Sequence, residues 1–233
     1  MEFKVNMKNP KKKDYVYEEA IKTLRTNLLF SGKQLGVIML TSCFPNEGKS
    51  ETAFTLAQEI GNIGKKVLLL DADIRKSVYV TRYDVRRKVH GLSQFLSGQI
   101  ERSFIIYHTN FANLDIIFAG PVAPNPSELL SDTSFEKLLN DLKSEYDYVI
   151  IDTPPISNLA DGVVIASKCD GAIFVIESGV VSQRVIQKAK QQIEASGCRV
   201  LGAVLNKVDI KKDKYYSHYY KKYGTYYKEN ESE

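Results

Sequence analysis

The chain has 233 residues, of which 43% are hydrophobic and 26% charged, so it has room for one domain with a sizeable core and short appendages. Its formal charge of +4 is mild and selects no partner among nucleotides, nucleic acids and acidic membrane surfaces. Three scattered cysteines (Cys43, Cys169, Cys198) form no C-x-x-C pair, which excludes a disulfide scaffold and points to reduced thiols in a cytosolic protein.

Along the chain, Met1-Glu2-Phe3-Lys4 leads to Lys11-Lys12-Lys13 without the apolar stretch of a signal peptide. No later run approaches the roughly 18–20 apolar residues of a membrane span. Ile21, Leu24, Leu28 and Leu29 recur at helical spacing and predict an amphipathic helix over 17–30. Short apolar runs then predict strands over 36–42, 66–71, 113–119, 147–152, 171–177 and 199–206. Runs such as Val67-Leu68-Leu69-Leu70 and Val149-Ile150-Ile151 are nearly continuous, as expected for strands buried on both faces. Helical patterns over 50–63, 134–144, 158–166 and 182–196 lie between most of them. This alternation predicts an α/β fold with a largely parallel sheet, which binds ligands beyond the carboxyl ends of its strands. Residues 210–233 hold lysines and tyrosines with almost no aliphatic residues, and are expected to form a flexible tail on a 1–209 domain. His90, His108 and His218 lack metal-ligand spacing.

The first internal strand runs into Cys43-Phe44-Pro45-Asn46-Glu47-Gly48-Lys49-Ser50 and then a helix. Strand, tight loop and helix N-terminus form the setting of a Walker A loop, so the fold is P-loop NTPase-like. Backbone N–H groups of the loop and first helical turn face an anion, which makes Pro45, Asn46, Glu47, Gly48, Lys49, Ser50 and Glu51 candidate nucleotide contacts. Lys49 suits the β- and γ-phosphates, and the Ser50 hydroxyl suits Mg²⁺. Cys43 stands where the strict motif has glycine, and Asn46 tolerates left-handed backbone angles.

Two other strands end in acid, at Asp71-Ala72-Asp73 and at Asp152-Thr153-Pro154-Pro155. Mg²⁺ takes oxygen ligands and keeps several waters, so Asp152 is the expected Walker B residue. Asp71 and Asp73 divide the tasks of supporting the metal and accepting a hydroxyl proton, and the spacing does not say which does which. The bland alternative is that aspartate ends strands as a turn residue. Asn206-Lys207-Val208-Asp209 spells N-K-x-D, but the accompanying D-x-x-G of GTP-binding proteins is absent. Asn206 is kept as a nucleotide contact without GTP specificity.

Of 14 tyrosines, seven (Tyr215, Tyr216, Tyr219, Tyr220, Tyr223, Tyr226, Tyr227) lie in the last stretch. Phosphate acceptors explain such a cluster; base stacking among interleaved lysines is another reading. Taken with Pro45–50, Leu69-Leu70-Asp71-Ala72-Asp73-Ile74-Arg75 and Val149-Ile150-Ile151-Asp152-Thr153-Pro154-Pro155, this tail resembles the bacterial tyrosine kinases of capsule and exopolysaccharide synthesis. The likeness is to the stand-alone cytoplasmic type of Gram-positive bacteria and spans nearly the whole chain. Pro124-Asn125-Pro126-Ser127-Glu128-Leu129-Leu130 is also similar to the family, with no chemical role evident. Glu19, Lys22 and Arg25 are similar to the family's E-x-x-R-x-x-R ring-assembly motif, on a helix taken as 15–31, with Lys22 in place of an arginine.

The resemblance implies an ATP- and Mg²⁺-dependent protein-tyrosine autokinase that modifies its tail between subunits of a ring, such as an octamer. It also implies a transmembrane polysaccharide co-polymerase or adaptor whose cytoplasmic tail activates the kinase at the inner face of the membrane, a cognate tyrosine phosphatase, and no nucleic-acid partner. Two rivals share the P-loop: a partitioning-type ATPase and a nucleotide-sensing protein without phosphoryl transfer. The first carries K-G-G-x-G-K-[ST], and Phe44 occupies the position of its signature lysine.

Overall fold

The structure, a computed structural model, describes residues 3–8, 15–32, 35–157 and 160–209. The tyrosine cluster from Tyr215 to Tyr227 lies outside the described residues. In chain order the elements are β1 (Phe3–Val5), α1 (Tyr15–Phe30), β2 (Val37–Ser42), α2 (Lys49–Asn62), β3 (Val67–Asp71), α3 (Tyr79–Arg82), α4 (Leu92–Leu96), β4 (Ile106–Thr109) and β5 (Leu114–Ile117). Then come α5 (Pro126–Ser131), α6 (Thr133–Glu145), β6 (Tyr148–Asp152), α7 (Asp161–Ala166), β7 (Gly171–Glu177), α8 (Gln183–Ala195) and β8 (Val200–Asn206). The eight strands form one sheet in the order β1-β4-β5-β3-β6-β2-β7-β8, parallel throughout except for the antiparallel β4–β5 pair.

Alternate residues of each central strand face opposite layers, which is why the apolar runs are continuous. Val37, Met39, Leu68, Leu70, Val149 and Ile151 pack with Phe135, Leu138, Leu139 and Leu142 of α6, Ile165 of α7, and Ala189 and Ile193 of α8. Ile38, Leu40, Val67, Leu69 and Ile150 pack on the other side with Ala53, Phe54, Leu56, Ala57 and Ile60 of α2 and with Leu28 of α1. Burying one such leucine or isoleucine stabilises the fold by about 1.5–3 kcal/mol. Helix α1 lies on α2.

All six expected strands form, with ends within two residues of the sequence reading. Strands β1 and β4 have no counterpart among the expected elements. Each is short, and neither has the long apolar run of a central strand; β4 pairs antiparallel with β5 and so carries β1 to the sheet edge. Because the central strands are parallel, their carboxyl ends share one edge. Ser42, Asp71, Asp152, Glu177 and Asn206 are the last residues of β2, β3, β6, β7 and β8.

Candidate active site

The loop between β2 and α2 is shaped by two residues with left-handed backbones, Asn46 at φ 69° and Gly48 at φ 92°. Asn46 is a residue type that tolerates this region, and glycine reaches it without steric cost. Long-range hydrogen bonds hold the loop. The buried Glu47 carboxylate accepts the Phe44 N–H at 2.5 Å and the Glu177 N–H at 3.1 Å. Asn206 Nδ2 donates to the Glu47 carbonyl at 2.9 Å. Lys207, itself at φ 55°, sends Nζ to the Asn46 carbonyl at 2.7 Å and to Glu177 Oε2 at 2.8 Å. Asn206 therefore meets the phosphate loop's backbone, and it is not among the residues that line the pocket beside that loop.

That pocket holds about 490 Å³ and is lined by Pro45 to Glu51, by Asp73, Arg75, Lys76 and Arg82 after β3, and by Lys207. Its volume is that of an ordinary small-ligand site. Five cations on the lining (Lys49, Arg75, Lys76, Arg82, Lys207) suit a polyanion. Lys49 begins α2, is buried, and pairs through Nζ with Asp152 Oδ1. The Tyr79 hydroxyl donates to the Ser50 carbonyl at 3.0 Å and tethers the start of the same helix.

The acidic strand ends lie side by side, with Asp71 and Asp152 as register partners on β3 and β6. Asp71 is fully buried; burial and then the Asp152 charge push its carboxyl up to about 8. It accepts the Ser77 hydroxyl at 2.5 Å and the Asp73 N–H at 3.2 Å. Asp73 is only partly buried, lines the pocket and accepts the Lys76 N–H at 3.0 Å; burial raises its carboxyl as well. Two adjacent carboxylates in a dry setting, one pushed toward its protonated form, are a hard-oxygen donor set that a divalent cation relieves. Mg²⁺ therefore fits Asp71 and Asp152, with the Ser50 hydroxyl at the neighbouring helix start. Among the described residues no three His, Cys, Asp or Glu side chains form a ready-made metal cage.

Arg75 belongs to the acidic motif, but spacing alone assigns it no partner. Its Nε reaches Asp161 Oδ2 at 2.6 Å, and its Nη2 reaches Asp161 Oδ1 and Ser127 Oγ, each at 3.1 Å. Lys76 and Arg82 also line the pocket, and Ser77 lies behind it, with no motif to reveal them; Lys207, of the N-K-x-D run, lines it too.

On α1, the expected assembly residues have partners within the chain. Lys22 pairs with Glu19 at 2.7 Å on the exposed face, and Arg25 reaches Glu59 Oε2 of α2 at 3.3 Å. Among the tyrosines outside the terminal cluster, Tyr79, Tyr83, Tyr107 and Tyr146 are buried. Tyr79 and Tyr83 stack with ring centroids 5.7 Å apart. All three cysteines are free thiols. No described helix is long and apolar enough to cross a membrane.

A family model described as an AAA domain matches residues 46–196. The chain is 43% identical over 198 residues to the tyrosine-protein kinase CpsD of Streptococcus pneumoniae, spanning 85% of this chain and 87% of that one. The kinase domain of the Escherichia coli tyrosine kinase ETK superposes with a TM-score of 0.78 at 34% identity, covering 82% of this chain and 75% of that one. The septum site-determining protein MinD of Pyrococcus horikoshii, solved with Mg-ADP, superposes at 0.66 with 23% identity over 75% of this chain and 71% of that one, a likeness of fold alone.

Proposed function

Since the chain belongs to the bacterial tyrosine-protein kinase family, we propose that it transfers the γ-phosphoryl group of ATP to tyrosines of its own terminal cluster, Tyr215 to Tyr227. The observation that carries this reading is the convergence of a phosphate loop and two acidic strand ends on one cation-lined pocket. Burial of Tyr79, Tyr83, Tyr107 and Tyr146 supports the tail as acceptor, because an attacking hydroxyl must enter the pocket.

In this mechanism the N–H groups of 46–51, at the loop and the start of α2, cradle the phosphates, and the Lys49 amine meets the β- and γ-phosphate oxygens. Ser50, Asp71 and Asp152 would hold Mg²⁺, which would neutralise charge on those oxygens. Asp73 is assigned as the base, because it lines the pocket whereas Asp71 lies behind it. It takes the tyrosine proton as the hydroxyl oxygen attacks phosphorus and ADP leaves. Asn206 braces the loop through the Glu47 carbonyl and remains a candidate nucleotide contact beside it.

The same reading places the chain in the cytoplasm at the inner membrane face, in a ring assembled through Glu19, Lys22 and Arg25 of α1. A membrane-spanning polysaccharide adaptor activates it there, a tyrosine phosphatase reverses the reaction, and capsule or exopolysaccharide synthesis is the process regulated. The test is to incubate the purified protein with ATP and Mg²⁺ and to locate phosphate by mass spectrometry. Phosphate on the terminal tyrosines is expected; ADP without phosphotyrosine would move the chain to the ATPases.

A further inference from the structure

The segment from Pro124 to Leu130, which resembles its family without an evident role, delivers a side chain to the pocket's only bidentate ion pair among the described residues. Ser127, the second residue of α5, donates its hydroxyl to Asp161 Oδ1 and receives Arg75 Nη2 at 3.1 Å. Asp161, the first residue of α7, is wholly buried. Its two oxygens take Arg75 Nε at 2.6 Å and Nη2 at 3.1 Å. Three segments far apart in sequence thus meet on one guanidinium.

A carboxylate removed from water is tolerated only when paired and hydrogen-bonded, and a planar fork satisfies both oxygens at once. If the cluster served only to pack α5 on α7, apolar side chains of similar volume would do as well or better. The charge is instead spent on Arg75, which lines the pocket beside Lys49, Ser50 and Asp73. Nη1 is the part of its fork that neither Asp161 nor Ser127 engages. Arg75 is also two residues beyond Asp73, in the turn where Lys76 N–H caps Asp73 and the Ser77 hydroxyl meets Asp71. Holding the guanidinium therefore holds the turn that carries both aspartates.

We propose that Ser127 and Asp161 are positioning residues that aim Arg75 at the transferred phosphate and keep Asp73 in register with the acceptor hydroxyl. This rests on the phosphotransfer reading above. Ser127 touches no pocket surface itself and acts through Asp161 and Arg75.

The experiment uses the full-length chain and follows phosphotyrosine, ADP, the affinity for a fluorescent ATP analogue and the melting temperature together. Ser127→Ala is expected to lower turnover roughly tenfold to a hundredfold through misplacement of the guanidinium. KM for ATP should change less than about twofold, because the loop's own N–H groups are untouched. Ser127→Thr, which keeps the hydroxyl, should restore most of the rate. In an Arg75→Ala background, Ser127→Ala should cost nothing more, since residues acting as a unit are not additive. Wild-type turnover in Ser127→Ala, or losses that multiply in the double variant, would overturn the proposal. Should Ser127→Ala fail to fold, Arg75→Lys keeps the charge without the fork, and unchanged turnover there would overturn it equally. Formation of ADP without phosphotyrosine in the wild type sinks the tyrosine-acceptor reading instead, and the Ser127 comparisons are then read on ADP.

Discussion

At Gly48 a Cβ would lie 2.0 Å from Asn206 Nδ2, on a backbone with φ 92°. The left-handed angle alone costs an alanine about 1–2 kcal/mol, and the side chain would also displace the amide that steadies the Glu47 carbonyl. Gly48→Ala is expected to lower the melting temperature and to weaken ATP binding at least tenfold (roughly 1.4 kcal/mol), as read by titration with a fluorescent analogue. Lys49→Met removes the amine that pairs with Asp152 and meets phosphate. Autophosphorylation should vanish while circular dichroism is unchanged; labelling of the tail at the normal rate would remove Lys49 from the site. Asp71 has a pH signature. Its folded value of about 8 lies above the ordinary 3.8, so between those values the folded chain binds more protons than the unfolded one. Its contribution to nucleotide-free stability is thus fully present below the unfolded value and is lost as pH rises through the folded one. Asp71→Asn mimics the protonated form, so the variant should melt slightly above wild type at pH 5, and its advantage should grow as pH rises toward 8. A constant difference across that range would mean that Asp71 is ionised throughout.

Helix α1 has an inner face fixed on the body and an outer face left exposed. Ile21 and Leu28 are buried and fix the helix on the body, while Phe30 is left 85% exposed. Arg25 joins α1 to α2 through Glu59 at 3.3 Å, in a half-buried pair worth up to about 1 kcal/mol. Glu19 and Lys22 satisfy each other on the outer face at 2.7 Å. Combining Glu19→Ala with Arg25→Ala is expected to reduce the particle mass seen by light scattering and to slow phosphorylation between subunits. Glu59→Ala separates the roles: it loosens α1 from α2 and should lower the melting temperature with the mass retained. Unchanged mass in the double variant would take α1 out of the interface.

For the whole molecule, the 14 tyrosines divide evenly between the body and the terminal cluster, seven to each. Each phosphotyrosine carries about −1.5 to −2 at neutral pH, so seven add roughly −10 to −14. This exceeds the chain's formal +4 and would drive converging tails apart. If subunits assemble, tethering beside a neighbour's pocket would raise the tail's effective concentration to about 1 mM for a short linker. Replacing all seven terminal tyrosines by phenylalanine is expected to preserve ATP binding, remove nearly all phosphate, and stabilise the assembly when ATP is added. Phosphate found mainly at Tyr15 or Tyr17 in the wild type would overturn the tail as acceptor.

Local chemistry made much of this legible. The alternation of apolar runs with helical periods gave the central strands and the helices α2, α6, α7 and α8, because burial on both faces leaves no polar positions. Gly48-Lys49-Ser50 after a strand announced the phosphate loop, because its backbone angles and charge are properties of adjacent residues. Asp71, Asp73 and Asp152 stood out because each follows an apolar run that ends at the same sheet edge. Tertiary structure alone decided the rest. The short strands β1 and β4 are held by pairing at the sheet edge, which no local periodicity records. That Asn206 also donates to the Glu47 carbonyl, 159 residues away, is seen only in the fold. Asp161 and Ser127 meet Arg75 across separations of 86 and 52 residues. Sequence records what neighbours along the chain can do; a buried carboxylate's partner is set by where three distant segments are packed.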